Sequence, residues 1–224
     1  MAEPDPEELA RALSGESIAR GDPSGWFERL YSAAEGGEAV VPWDRGAPHP
    51  LLVDWVEHHR PDGGGQRALV VGAGLGSDAE LVAGLGFHTI AFDVSPTAIQ
   101  MARRRFPEST VQYEVADLLD PPPEWRDAFD LVVEIITVQA LPRSVRAEAT
   151  ARVREFVARG GTLLVISNAL GEGDDPDSGP PWPLTRAELE AFAGDELELR
   201  QTERFPHPGE PQIQRWRAEF TRPA

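Results

Sequence analysis

Cysteine is absent from all 224 residues. Disulfides, thiolate metal sites and cysteine nucleophiles are therefore excluded. Long apolar runs are missing too. No stretch approaches the roughly 18 apolar residues of a membrane span. Residues 1–30 carry acids and prolines where a signal peptide would be apolar, so a cytoplasmic protein is expected. Positive charge is scarce: 21 basic against 38 acidic side chains give a formal net charge of −17. Such a chain repels phosphate backbones and anionic lipid surfaces, so neither nucleic acid nor membrane is expected as a partner. Arg103, Arg104 and Arg105 form the only tight basic cluster and read as a solvated helix C-terminus. What remains is 41% hydrophobic, enough for one domain with a substantial core. The oligomeric state is not legible.

The informative stretch is residues 67–95. An apolar run, Ala68 to Val71, meets three alternating glycines, Gly72, Gly74 and Gly76. An amphipathic segment follows, then a second apolar run ending in Asp93. This reads as strand, glycine turn, helix, strand, one half of a nucleotide-binding α/β sheet. Glycine lets a backbone approach a ligand where a Cβ would collide. Asp93 sits where a carboxylate can take both hydroxyls of a ribose. A dinucleotide fingerprint would put its third glycine where Ser77 stands, and no lysine follows to make a phosphate-binding loop. Asp78 and Glu80 at the helix start disfavour a pyrophosphate there.

Along the chain, residues 1–6 are expected to fray. Residues 7–20 have Leu9, Leu13 and Ile18 at roughly helical spacing, and Asp22-Pro23 caps a second helix carrying Trp26, Phe27, Leu30 and Tyr31. Pro42-Trp43-Asp44 leads into a helix that begins near His49. Ser95-Pro96 opens the next helix. Residues 110–116 form a third strand ending in Ala116-Asp117-Leu118, and Phe129 to Ile136 a buried fourth strand, apolar in its second half except at Glu134. A carboxylate there is expensive to bury unpartnered, so Glu134 is a candidate to bind cofactor or substrate or to take a proton. Gln139 follows on a loop where it can orient a polar substrate. A helix over 142–158 precedes Gly160-Gly161 and a fifth strand. The irregular segment 170–183 reaches the substrate side, where Trp182 can close the pocket or pack in the core. Thr185 and Glu188 form a capping box. Two further strands, Glu196–Phe205 and Gln212–Thr221, are joined by His207-Pro-Gly-Glu-Pro.

The G-x-G-x-G turn with Asp93 resembles the class I S-adenosylmethionine-dependent methyltransferases. Gly25-Trp26 and PWDRGAPHPLL (42–52) resemble the N-terminal segment of the small-molecule thiocyanate and thiopurine methyltransferase-like group. The resemblance implies an α/β fold: a Rossmann-like three-layer sandwich with a seven-stranded, mostly parallel sheet of order 3-2-1-4-5-7-6. Residues 1–60 would be a helical cover within the same domain, and 61–224 the core. It implies S-adenosyl-L-methionine as cofactor, with S-adenosyl-L-homocysteine as product. Gly72, Ala73, Gly74 and Gly76 would pack on its methionine part, Asp93 and Val94 on the ribose, and Ala116, Asp117 and Leu118 on the adenine. Trp43, with Trp26, would lie beside the sulfonium, where an indole face makes a cation–π contact. Plain core packing for both tryptophans, a turn role for Asp44 and a helix-cap role for Asp117 stay open.

In thiopurine enzymes an arginine follows the fourth strand, where this chain has Thr137-Val138-Gln139. Catechol-type enzymes have Asp-Asn after strand five, where this chain has Ser167-Asn168, so no metal is expected. His49 is the histidine placed to act as a base, with a solvated role as the alternative. The expected activity is methyl transfer to a small-molecule S, O or N nucleophile. An NAD(P)-binding oxidoreductase and a non-catalytic S-adenosylmethionine-binding regulator are the alternatives.

Overall fold

The computed structural model describes residues 6–194, 196–207 and 210–224. Of the start expected to fray (1–6), Pro6 instead begins a helix and 1–5 lie outside the described residues, as does the Pro208-Gly209 part of the last connection. Seven strands are seen: β1 Arg67–Val71, β2 His88–Asp93, β3 Gln112–Val115, β4 Phe129–Ile135, β5 Val157–Ala169, β6 Glu198–His207 and β7 Glu210–Thr221. They stand in the order β3-β2-β1-β4-β5-β7-β6, which the resemblance implied. Strands β1 to β5 run parallel, and β7 pairs antiparallel with both β5 and β6.

Alternation along β1 explains the layers. Leu69 and Val71 join a core on one face with Phe92, Val132, Val153 and Phe156. Ala68 and Val70 face the other core, with Leu52, Trp55, Val82 and Ile99. Both faces of a parallel sheet must be covered, which is why its strands read as continuous apolar runs. The covering helices are α3 Pro50–His59, α4 Ser77–Gly84 and α5 Pro96–Arg105 on the second face. Helix α6 Arg143–Glu155 and the short α7 Arg186–Glu190 cover the first. The Ser95 hydroxyl accepts from the Ala98 N–H at 3.0 Å and caps α5. The expected Thr185–Glu188 capping box is present at α7.

The N-terminal helices are α1 Pro6–Ala19 and α2 Gly25–Glu35. The buried face of α1 is Ala10, Ser14 and Ser17, not the expected Leu9, Leu13 and Ile18, which are half-buried. Small residues there let α1 come close to its neighbour. Asp22 Oδ1 accepts from the N–H groups of Ser24 and Gly25 and starts α2 from just outside it. Glu28 holds α2 to the start of α5, accepting from the Ser95 hydroxyl at 2.5 Å and the Thr97 hydroxyl at 2.7 Å.

Two further expectations need correction. The arginines ending α5 are not simply solvated: Arg103 donates to the Tyr113 carbonyl, Arg104 meets Glu35, and Arg105 grips Asp44 through two hydrogen bonds. Asp44 therefore ties the Trp43 segment to α5. Gly160-Gly161 lies inside β5 rather than before it. The β4–β5 register shifts there, from Phe129↔Val157 to Leu131↔Thr162. A Cβ on Gly161 would come within 2.9 Å of two carbonyl oxygens, so only glycine fits this irregularity.

Candidate active site

A cavity of about 520 Å³ opens at the carboxyl ends of the parallel strands, where open α/β sheets bind their ligands. Its floor is the glycine turn. Gly72 and Gly74 have φ of +65° and +52°, a region that L side chains rarely adopt. A Cβ on Gly74 would stand 3.1 Å from the Tyr31 hydroxyl and 3.9 Å from Trp43 Nε1, so the turn keeps a glycine's width against the aromatic wall. The Gly74 N–H donates to Asp93 Oδ2 and the Ser95 N–H to Oδ1, both at 2.9 Å. The carboxylate is thus fixed by backbone, with lone pairs left on both oxygens for ligand hydroxyls. Burial pushes its pKa up to about 6, against the pull of those N–H groups.

Trp26, Trp43, Gly72, Ala73, Gly74, Gly76, Asp93, Val94, Ala116, Asp117 and Leu118 all line this one cavity. Asp117 follows β3 with no helix after it; its Oδ1 accepts from the Leu119 N–H at 2.9 Å, which makes a local turn. Trp43 donates its indole N–H to the Tyr31 hydroxyl at 2.8 Å and stands edge-on to Trp26 at 5.9 Å. Phe27 stacks on Trp26, and both line the cavity. These residues fit an adenosyl sulfur ligand: a carboxylate beside a glycine turn, an acid one strand further, and aromatic faces on the other side.

The residues expected to act on the acceptor are differently placed. Glu134 is buried and absent from the cavity wall; its Oε1 accepts from the Val138 N–H at 2.8 Å. It caps the short 3-10 turn Val138–Ala140, and burial raises its pKa to about 7. Gln139 is also buried behind the wall. Its Oε1 accepts from the Asn168 N–H at 2.7 Å, tying that turn to β5. Trp182 does not line the cavity either. Its indole N–H donates to the Asp177 carbonyl, and the residues of its loop on the wall are Ser178 to Pro181.

His49 does line the cavity but suits a base poorly. It is the N-cap of α3, its Nδ1 accepting from the Leu51 N–H, while Nε2 faces Arg215 Nη1 at 2.8 Å. Burial first, then the charges of Arg45 and Arg215, hold its pKa down at about 3. Proton uptake there is opposed from both ring nitrogens.

The raised pKa of Glu134 carries a stability prediction. Between its ordinary 4.5 and about 7, the folded protein holds a proton that the unfolded chain has released. Stability of the ligand-free enzyme should therefore fall as pH rises through that window. Glu134→Gln should flatten the fall by on the order of 2 kcal/mol, read from urea unfolding at pH 5 and pH 7.5. An unchanged slope would show that Glu134 titrates normally.

Tyr31, Arg45, Asn168, His207 and Arg215 are wall residues that the sequence reading did not select as site residues. Tyr31 shared a helix with Trp26, and its polar tip on an apolar face was the available signal. Burial, then the nearby Asp93 charge, pushes its pKa well up, so it stays a neutral hydroxyl. Nothing local marked Arg215.

A family profile described as a methyltransferase domain matches residues 68–161. The chain is 28% identical over 169 residues to "Probable thiol methyltransferase 2" of Arabidopsis thaliana, covering 75% of this chain and 70% of that one. It is 26% identical over 181 residues to thiocyanate methyltransferase 1 of Brassica oleracea, covering 80% and 74%. Its fold is similar to that of the 1,6-didemethyltoxoflavin-N1-methyltransferase of Burkholderia thailandensis, solved with S-adenosylhomocysteine bound. There the TM-score is 0.66 at 16% identity, over 98% of this chain and 91% of the other. The glycine turn and Asp93 at the cavity floor, the strand order and these sequence matches agree: residues 68–161 are a methyltransferase domain, and the enzyme is an S-adenosylmethionine-dependent methyltransferase.

Proposed function

We propose that the enzyme methylates a small-molecule thiol, with the cofactor held as the resemblance implied. Asp93 takes the ribose hydroxyls and Asp117 the adenine amino group. The glycine turn packs on the methionine part, and Trp43, with Trp26, lies beside the sulfonium. Residues 1–60 close over this site as part of the same domain. When bound, the cofactor supplies an activated methyl group with a good leaving group. The protein's own residues orient the acceptor and exclude water; the Trp26–Phe27–Trp43 wall does the latter.

One observation favours sulfur. The two residues expected to take a proton are engaged elsewhere: Glu134 caps a turn behind the wall, and His49 is held far below neutrality. Thiols ionise near pH 8.5 without help, whereas alcohols and most phenols need a base. The names of the plant relatives, which refer to thiol and thiocyanate methylation, point the same way.

The test is a methyl-transfer assay over thiols, phenols and amines with pH profiles. For thiols, kcat/KM should rise about tenfold per pH unit up to the acceptor's own pKa, and the break should move when a more acidic thiol is used. A break that stays fixed across acceptors would reveal an enzymic base and sink the reading, as would faster turnover of phenols or amines. No helix among the described residues is long and apolar enough to cross a membrane.

A further inference from the structure

Two arginines on one strand have opposite surroundings. Arg217 is buried and meets Asp54 at 2.6 Å and Glu203 at 2.8 Å. Arg215, two residues earlier, is only 6% exposed, yet among the described residues no carboxylate lies within ion-pair distance of it. Its one side-chain polar contact is His49 Nε2 at 2.8 Å, which cannot accept while Nδ1 accepts from the Leu51 N–H, and its Nε has no partner. Leaving a buried guanidinium uncompensated is costly, the more so in a chain of net charge −17, where acids are plentiful. Arg45, which also lines the cavity, lies close enough for its charge to act on Arg215.

The surroundings complete the pattern. His207 Nδ1 belongs to the same cavity wall and, like Arg215 Nε, is buried without a hydrogen-bond partner. Buried polar atoms in native folds are nearly always satisfied, so unsatisfied ones on a cavity wall mark where a ligand supplies the partners. Two acids of the same wall are engaged elsewhere: Asp78 Oδ1 accepts from the His49 N–H at 2.6 Å, and Asp44 is gripped by Arg105.

We propose that Arg215, with Arg45 and His207, forms an anion subsite that holds a carboxylate on the acceptor. This deepens the thiol reading above and rests on it. Strand β7 stands three places from β1, whose glycine turn takes the cofactor. Three strand spacings are about 14 Å, on the side away from Asp117. The anion is therefore held at a distance from the reacting sulfur. The acceptor has two ends, a thiol presented to the methyl group and a carboxylate seated on the guanidinium. The carboxylate of the cofactor is the other source of the same chemistry, and the experiment separates the two.

Benzoate and benzamide, equal in size and different in charge, are titrated by calorimetry into the enzyme saturated with S-adenosylhomocysteine. Benzoate should bind at least tenfold more tightly. Arg215→Met should remove most of that preference, Arg215→Lys should keep part of it, and Arg45→Gln, at an exposed position that folding tolerates, should lower it about threefold. Equal binding of the two probes to the wild-type complex overturns the proposal. So does a preference that survives both Arg215→Met and Arg45→Gln. S-adenosylhomocysteine and 5′-methylthioadenosine, which lacks the amino-acid end, are then compared on wild type and Arg215→Met. Loss of affinity for the first alone assigns the arginine to the cofactor's carboxylate and also overturns it.

Turnover of 4-mercaptobenzoate against benzenethiol separates this inference from the one it rests on. A carboxylate preference in binding with no thiol methylated sinks the thiol reading alone. Thiol methylation with no such preference sinks the subsite alone.

Discussion

Asp93→Ala should weaken S-adenosylhomocysteine binding about 100-fold, measured by calorimetry near pH 7.5. The wild-type carboxylate is held by the N–H groups of Gly74 and Ser95 and keeps a lone pair on each oxygen for ribose. Two charge-assisted hydrogen bonds at roughly 1.5 kcal/mol each account for about 3 kcal/mol, or a factor of about 100. The substitution also orphans two buried donors, so the turn itself loosens. Because burial pushes the Asp93 carboxyl up to about 6, the wild-type affinity should carry a pH signature. Ligand hydroxyls favour the ionised form, so affinity should fall as pH drops below about 6, and the Ala variant should lose that dependence. A variant that binds within twofold of wild type would remove Asp93 from the ribose contact.

Gly72→Ala should cost about 3 kcal/mol or more and lower the thermal midpoint of the ligand-free enzyme by roughly 6–12 °C. Two causes add. Gly72 has φ of +65°, which strains any L side chain by about 1–2 kcal/mol. A Cβ there would also stand 2.2 Å from the Thr137 hydroxyl oxygen and 2.7 Å from its methyl carbon. Thr137 cannot easily withdraw: its hydroxyl donates to the Val71 carbonyl at 3.0 Å, and a β-branched side chain has few rotamers. Thr137→Ala in the same chain should recover part of the loss, the part due to the collision, and leave the backbone strain. No recovery would show that strain alone sets the cost.

Pattern in the sequence was enough to pick out residues that meet in one cavity. Asp93, Asp117 and the three glycines sit at strand ends, and strand ends are local features: an apolar run stops, and a polar or conformationally free residue follows. The parallel order of the sheet came with them, since each strand–helix unit returns the chain to the same edge direction. Trp26 and Trp43 were found through the GW and PWD pairs, and the structure places both on the cavity wall.

On the acceptor side the structure sets Glu134 and Gln139 behind the cavity wall, for a physical reason. A polar residue near the end of a buried strand needs a partner, and a sequence pattern suggests a ligand for Glu134 and Gln139. The backbone of the following turn and of β5 satisfies them instead, and no one-dimensional pattern reports where a side chain's hydrogen bond ends. Of the two roles open to Trp182, the structure disfavours closing the pocket: it lies off the wall, its indole N–H held by the carbonyl of Asp177.

The linear order of residues thus determined the sheet, the glycine turn and the acid at the end of β2, because these follow from spacing and local conformation. Tertiary structure alone decided the acceptor side. His49 and Arg215 stand 166 residues apart in the chain, and only the packing of α3 against β7 brings an imidazole to an unpaired guanidinium. A charge has a partner or lacks one only once every surrounding element has been placed.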